Sequence, residues 1–173
     1  MLDTTPLRDA CRDLLEAAAT VADSGMRPAP PPDEWGAEQI LAHVVIVNAV
    51  TLATVSDVAA GVDATYDNRA ALYAWNLDRV IALSGGDAGL RERIRFQGEA
   101  LCALAGSTLS DAELDTEVPT LLLSNGTVLV DQPMPLRVLL KGLAEVEIPG
   151  HTRQLLALLP DHALRTAETA LSA

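Results

Sequence analysis

The chain has 173 residues, of which 49% are hydrophobic and only 3% aromatic, so we expect one domain over residues 1–173 with an aliphatic core. Its formal net charge of -12 repels a phosphate backbone and excludes nucleic acid as a partner. Cys11 and Cys102 form no CxxC pair and no basic-then-apolar signal opens the chain, so packing cysteines and a cytoplasmic location are expected.

Two helices are predicted on either side of a proline-rich segment. The first begins at Thr5 and Pro6 and ends near Gly25, because apolar residues repeat at helical spacing between them. Segment 27–32, Arg-Pro-Ala-Pro-Pro-Pro, is predicted to be an extended crossover on the surface. The second helix runs from about Gly36 to Gly61 and is apolar around most of its circumference, which is typical of a central helix in a bundle.

The second helix also has the length of a membrane span, but polar residues interrupt its apolar run and no Lys or Arg flanks it. A buried core helix is the better interpretation, and no membrane partner is expected. On this helix His43, Thr51 and Thr54 lie within one arc, because successive residues are rotated by about 100°. We therefore expect a cavity lined by Thr51 and Thr54, with Asn48 also lining it and bonding a substrate or a backbone group. The alternative for each of the three is a satisfied buried polar contact.

Two further helices are predicted in the middle of the chain. The third follows Thr65-Tyr66-Asp67 and ends at Ser84-Gly85-Gly86. The fourth runs from about Ala88 to Gly106, with its arginines mostly on the outward face. Both are amphipathic and are expected to pack against the second helix.

A β-hairpin and a last long helix complete the predicted fold. Asn125-Gly126 stands between apolar and β-branched runs, which is the strongest short signal for a hairpin. The last helix runs from Met134 to Leu159, where Pro160 ends it, with a kink or local unwinding at Pro149-Gly150. The predicted class is all-α, with a small hairpin before the last long helix.

The three histidines of the chain suggest a metal site. Glu147 and His151 are four residues apart, so a carboxylate and an imidazole share one helix face and can bind one ion. His43 would complete a set of two histidines and one carboxylate with an open coordination position, which is typical of catalytic zinc. The alternatives are an intrahelical ion pair and a hydrogen-bonded core histidine. His162, at the start of a short terminal helix, is expected at the surface and is the substitute ligand.

Two segments resemble the N-terminal domain of mycothiol-dependent maleylpyruvate isomerases, which belong to the DinB-like metal-binding bundles. They are residues 33–43, Asp-Glu-Trp-Gly-Ala-Glu-Gln-Ile-Leu-Ala-His, and 145–155, Glu-Val-Glu-Ile-Pro-Gly-His-Thr-Arg-Gln-Leu. The resemblance covers nearly the whole chain and implies a DinB-like up-down four-helix bundle. It also implies that His43, Glu147 and His151 bind a divalent metal, zinc or alternatively nickel, and that an actinobacterial low-molecular-weight thiol is the cosubstrate.

The function implied by this resemblance is a metal-dependent, mycothiol-type thiol transferase or isomerase acting on a small electrophilic substrate. The metal would lower the pKa of a coordinated thiol, which then attacks as thiolate near neutral pH. The isomerases have a second, C-terminal domain that these 173 residues do not contain, so maleylpyruvate itself is not the expected substrate. A homodimer is expected by analogy. Two alternatives stay open: a metal-free helical binding or interaction protein, and a dimerising regulator with an exposed apolar helix face.

Overall fold

The computed structural model describes residues 1–25 and 34–159, and these residues are mainly helical. The helices are α1 (Thr5–Asp23), α2 (Ala37–Ala59), α3 (Ala74–Ser84), α4 (Asp87–Ala103), α5 (Asp111–Leu114), α6 (Leu136–Gly142) and α7 (Ile148–Ala157). The strands are β1 (Tyr66–Asp67), β2 (Glu117–Ser124) and β3 (Thr127–Pro135). The predictions for segment 27–32, Pro160 and His162 lie outside the described residues. The prediction of a mainly helical class is confirmed, with a small sheet added to it.

Helix α2 lies at the centre of the core. It contacts α4 and α7, and α1 contacts the same two helices. Among the described residues α2 is the one helix long and apolar enough to cross a membrane, and 61% of its apolar stretch is buried inside the protein. Its nearly all-round apolar surface is therefore used for packing against neighbouring helices.

Helices α1 and α4 approach each other closely at Gly98. A Cβ atom on Gly98 would lie 2.9 Å from the Sγ of Cys11, closer than real Cβ contacts allow. Cys11 and Cys102 are free thiols buried at this contact. A π-helical turn, Leu104–Thr108, follows α4 and ends it. The small side chains along this face let the two helix backbones come together.

The last helix continues from α6 into α7 through a π-helical turn, Leu143–Glu147. Pro149, in the first turn of α7, has no N–H to donate and its ring crowds the carbonyl four residues earlier. The wider turn directly before Pro149 relieves this conflict, so the helix resumes at once. The local unwinding predicted at Pro149-Gly150 is present, but it lies one turn earlier and ends at Glu147. Such π-helical turns are frequent at functional sites.

The predicted hairpin is present and belongs to a three-stranded sheet in the order β1-β2-β3. Strands β2 and β3 are antiparallel and joined by Asn125 and Gly126, whose φ angles of 48° and 74° are left-handed, as this two-residue turn requires. Strand β1 pairs in parallel with β2 through Tyr66 and Thr120. A 3-10 turn, Arg69–Leu72, follows β1, so the third helix begins later than predicted.

Candidate metal centre

His43, Glu147 and His151 meet at one point between α2 and the last helix. The Oε1 atom of Glu147 lies 3.0 Å from Nε2 of His43 and 3.3 Å from Nε2 of His151. The three potential ligand atoms lie within 4.8 Å of one another. The π-helical turn carries Glu147, and α7 carries His151 one turn later. The structure thus brings together the three residues that the sequence analysis selected as ligands.

The other nitrogen of each histidine ring has a partner of its own. Nδ1 of His43 lies 2.9 Å from the backbone oxygen of Ala71, and Nδ1 of His151 lies 2.9 Å from Oε1 of Gln154. A backbone carbonyl can only accept, so Nδ1 of His43 carries a proton and donates it. In a neutral ring, Nε2 of His43 then directs a lone pair at Glu147. Outer hydrogen bonds of this kind orient histidines that bind metals.

The electrostatics of this cluster favour a positive charge at its centre. Burial raises the pKa of Glu147, but hydrogen bonds and charge interactions with His151 and His43 outweigh burial and hold that pKa well below its usual range. An ionised carboxylate therefore faces the Nε2 atoms of both rings. Either a proton on imidazole or a cation satisfies this arrangement. Two imidazoles and one carboxylate are a donor set that fits a divalent cation such as zinc.

The cluster lines a cavity of about 780 Å³, here called the site pocket. The ring of Trp35 lies beside that of His43, with the two centroids 4.8 Å apart. Most of the other lining side chains are apolar and come from the hairpin and the last helix: Leu122, Leu123, Leu129, Val130, Met134, Val138, Leu139, Leu143 and Val146. The pocket has the size and apolar character of a small-molecule site.

Tyr66 adds a hydroxyl group to the wall of the site pocket. Its side chain is buried, and burial raises the pKa of Tyr66 to about 12, with the negative charge of Glu147 acting in the same direction and a hydrogen bond with Thr51 opposing it. The phenol therefore keeps its proton at neutral pH. The hydroxyl of Thr51 already donates to the backbone oxygen of Val47, so in the hydrogen bond between Tyr66 and Thr51 the phenol is the donor.

The three residues predicted to line a cavity are buried in the core, but none of them lines the site pocket. The hydroxyl of Thr51 donates to the backbone oxygen of Val47 at 2.9 Å, and that of Thr54 donates to the backbone oxygen of Thr65 at 2.9 Å. The side-chain amide of Asn48 has no partner within the described part of the chain. The threonine hydroxyls satisfy backbone carbonyls, as the alternative interpretation expected, and Thr51 is linked to the pocket through its hydrogen bond with Tyr66.

Several residues of the site were not predicted from the sequence. Tyr66 and Ala71 reach it from β1 and the 3-10 turn, and no spacing rule links these segments to the last helix. Gln154 had a usable signal, because it follows His151 by three residues and so shares its helix face. Trp35 stood within the segment that carries the family resemblance, but no role was assigned to it.

Comparison of the chain with protein-family models, with curated proteins and with solved structures finds no match. The observations that bear on function are therefore those of the site itself: its ligand geometry, its charges and the lining of its pocket.

Proposed function

We propose that the protein is a metal-dependent thiol transferase or isomerase that binds one divalent cation, zinc or alternatively nickel, through His43, Glu147 and His151. The observation that carries this proposal is that the Nε2 atoms of both histidines lie 3.0 and 3.3 Å from one carboxylate oxygen of Glu147. The Nδ1 atom of each ring is hydrogen-bonded to a second partner, the backbone oxygen of Ala71 or the side chain of Gln154. Three protein ligands leave a coordination position open, which is typical of catalytic rather than structural sites.

The DinB-like four-helix bundle and membership of the mycothiol-dependent isomerase family are part of the same proposal. Helices α1, α4, α2 and α7 contact one another in a closed ring, which supports a bundle of four principal helices. The proposed ligands also lie on the second and last long helices, where the resemblance implies them. The contacts between the four helices and the geometry of the three ligands support the proposal separately.

His43, Glu147 and His151 would hold a divalent cation, which would lower the pKa of a coordinated thiol so that its sulfur would be thiolate near neutral pH. The chain's own residues perform the remaining tasks. His43 and His151 offer ring nitrogens whose orientation is set by Ala71 and Gln154, and Glu147 offsets positive charge. The apolar walls exclude water from the thiolate.

The proposal also includes a small-molecule substrate, a cytoplasmic location and a homodimer, with no nucleic-acid or membrane partner. The net charge of -12 supports the exclusion of nucleic acid. The burial of 61% of the apolar stretch of α2 supports a core role for that helix.

The test is a thiol-addition assay with protein purified without an affinity tag or chelator. We expect the protein to accelerate the reaction of a small α,β-unsaturated ketone with a low-molecular-weight thiol. A chelator should remove this acceleration and zinc should restore it. Glu147→Gln should lose it, whereas Glu145→Gln, the same change at an exposed position in the same turn, should keep it. Acceleration that survives both the chelator and Glu147→Gln would overturn the proposal.

A second candidate function is a metal-free binding protein. The apolar site pocket favours it, because a cavity of about 780 Å³ can hold a ligand without any catalysis. In that case a proton on one imidazole would satisfy the carboxylate of Glu147. The two candidates are distinguished by zinc uptake, which only the first requires.

A further inference from the structure

Among the residues that the structure describes, the lining of the site pocket includes acidic side chains and no Lys or Arg. The acidic residues are Glu34 and Glu147. The guanidinium Nη2 of Arg153 lies 3.9 Å from the position that a Cβ on Gly150 would take, but the Arg153 side chain is exposed. Proteins commonly recognise carboxylates with Arg or Lys. A substrate carboxylate therefore finds no such partner among the described lining residues.

This conclusion holds with a divalent cation in the site. The carboxylate of Glu147 and a thiolate cosubstrate together offset the charge of the cation, and Glu34 adds a further negative charge on the pocket wall. A carboxylate entering the pocket would lose hydration without gaining a charged partner. Uncharged substrates do not incur this cost.

Three exposed apolar side chains lie at the rim of the site pocket, beside the exposed residues Glu34, Ser124 and Asn125. Leu129 of β3, Val138 of α6 and Val146 of the π-helical turn all line the pocket, yet they are 59%, 41% and 67% exposed. Exposed apolar side chains that gather around a cavity are typical of a surface that binds apolar ligands. Three separate elements supply them, so they surround the cavity rather than follow one helix face.

We propose that the site pocket selects neutral, mainly apolar electrophiles with a carbonyl oxygen, such as α,β-unsaturated ketones and esters, and discriminates against carboxylates. This inference deepens the thiol-transfer function and rests on it for the reaction. The thiol sulfur forms a bond to the β-carbon, and the π electron pair moves through the α-carbon to the carbonyl oxygen. A solvent proton then adds to the α-carbon, replacing the thiol proton released to solvent, so S–H is added across C=C.

Binding can be measured apart from catalysis, because Trp35 lies in the pocket wall. The Trp75→Phe variant removes the other tryptophan, which is 66% exposed and does not line the pocket. Quenching of Trp35 emission is then titrated with methyl 3-benzoylpropanoate and with 3-benzoylpropanoate. These saturated ketones cannot add a thiol, and they differ in shape only by the methyl ester. Titrations of metal-free and zinc-loaded protein separate ligand choice from the metal proposal.

We expect the ester to bind at least about 10-fold more tightly than the carboxylate in both forms of the protein. Equal or tighter binding of the carboxylate would overturn the inference, even if zinc binds as proposed. Failure of the ester to quench Trp35 would also overturn it. Conversely, absence of zinc uptake with selective ester binding would contradict the thiol-transfer function and leave the pocket's selectivity standing.

A charge placed on the rim gives a second test. Val138→Arg should reduce the preference for the ester by about 5-fold, the effect of one exposed ion pair. Val138→Gln, which is polar but uncharged, should weaken both ligands alike. Arg153→Ala should leave the preference unchanged, whereas a selective loss of carboxylate binding in that variant would show that Arg153 serves the pocket and would contradict the inference.

Discussion

Two cavities in the described part of the molecule differ in chemistry more than in size. The site pocket has about 780 Å³, and a cavity between α1 and α4, here called the α1–α4 cavity, has about 1060 Å³. The larger one contains Arg12 and Arg95, but nearby acids already pair with both. The smaller one contains a carboxylate that faces two imidazoles. The candidate functional site is therefore distinguished from the other cavity by its convergent ligand atoms and not by its volume.

The potential nucleophiles of the two cavities also differ. Cys11 and Cys102 line the α1–α4 cavity as buried thiols, and burial raises the pKa of each. A protonated thiol is a poor nucleophile and a poor metal ligand. The site pocket has no cysteine among its described lining residues, so the proposed thiol transfer would use a thiol supplied from outside.

The largest expected effect concerns the reactivity of Cys11. Burial, followed by the nearby Cys102, raises its pKa to about 12 from 9.0, so at pH 8 its thiolate should be about 1000-fold scarcer than in the unfolded chain. Alkylation by iodoacetamide, followed site by site with mass spectrometry, should be slower by at least this factor in the native protein. The folded state holds the thiol proton more tightly, so the resulting stability is complete below pH 9 and is lost as the pH rises towards 12. Rapid native alkylation would make the α1–α4 cavity a rival site.

Removal of one proposed ligand should reduce zinc affinity by more than about 100-fold, because loss of an outer-shell partner alone typically costs 10- to 100-fold. The variant is His151→Ala, and competition with a chromophoric chelator measures the affinity. Cys102→Ala, in the α1–α4 cavity, is the matched control and should retain the wild-type affinity. Equal losses in both variants would remove the distinction between the two cavities.

The hydrogen bond behind His151 should have a smaller effect on the same affinity. Gln154→Ala leaves Nδ1 of His151 without its partner, so the ring is less well oriented and zinc affinity should fall by about 10- to 100-fold. Gln132→Ala, on exposed strand β3, should not change it. An unchanged affinity in Gln154→Ala would mean that the ring is held by packing alone.

The smallest expected effect is on stability at the contact between α1 and α4. Gly98→Ala places a Cβ 2.9 Å from the Sγ of Cys11, and we expect it to be at least about 1 kcal/mol less stable than Gly142→Ala, whose Cβ meets nothing within 4 Å. Urea denaturation measures the difference. Adding Cys11→Ala to Gly98→Ala should recover part of it. Zinc affinity should be unchanged in Gly98→Ala, since the contact between α1 and α4 is remote from the site.

The sequence predicted those elements whose signal is local. Apolar spacing located α1 and α2 to within about two residues at each end. Asn125-Gly126 located the hairpin, because its turn needs two left-handed residues. Strand β1 was missed, since two residues carry no periodicity and Tyr66 pairs with a strand more than fifty positions away. Non-local pairing of this kind leaves little trace in one sequence.

The site was predicted in part for the same reason. The four-residue spacing of Glu147 and His151 indicates one helix turn, and the structure keeps them together even though a π-helical turn lies just before α7. His43 was proposed because the chain has few histidines, and the family resemblance supported it, since spacing does not identify which neighbouring helix faces a residue. A shared helix face does not establish a shared site. Thr51 and Thr54 lie on the same arc of α2 as His43, but their hydroxyls bond to the backbone.

The central claim is that His43, Glu147 and His151 bind one divalent cation. Elemental analysis of protein purified without an affinity tag or chelator, beside His43→Ala prepared in the same way, tests it most directly. We expect close to one equivalent of zinc or nickel per wild-type chain and almost none in the variant. No retained metal in the wild type, with no uptake and no rise in Tm when zinc or nickel is added, would contradict the account.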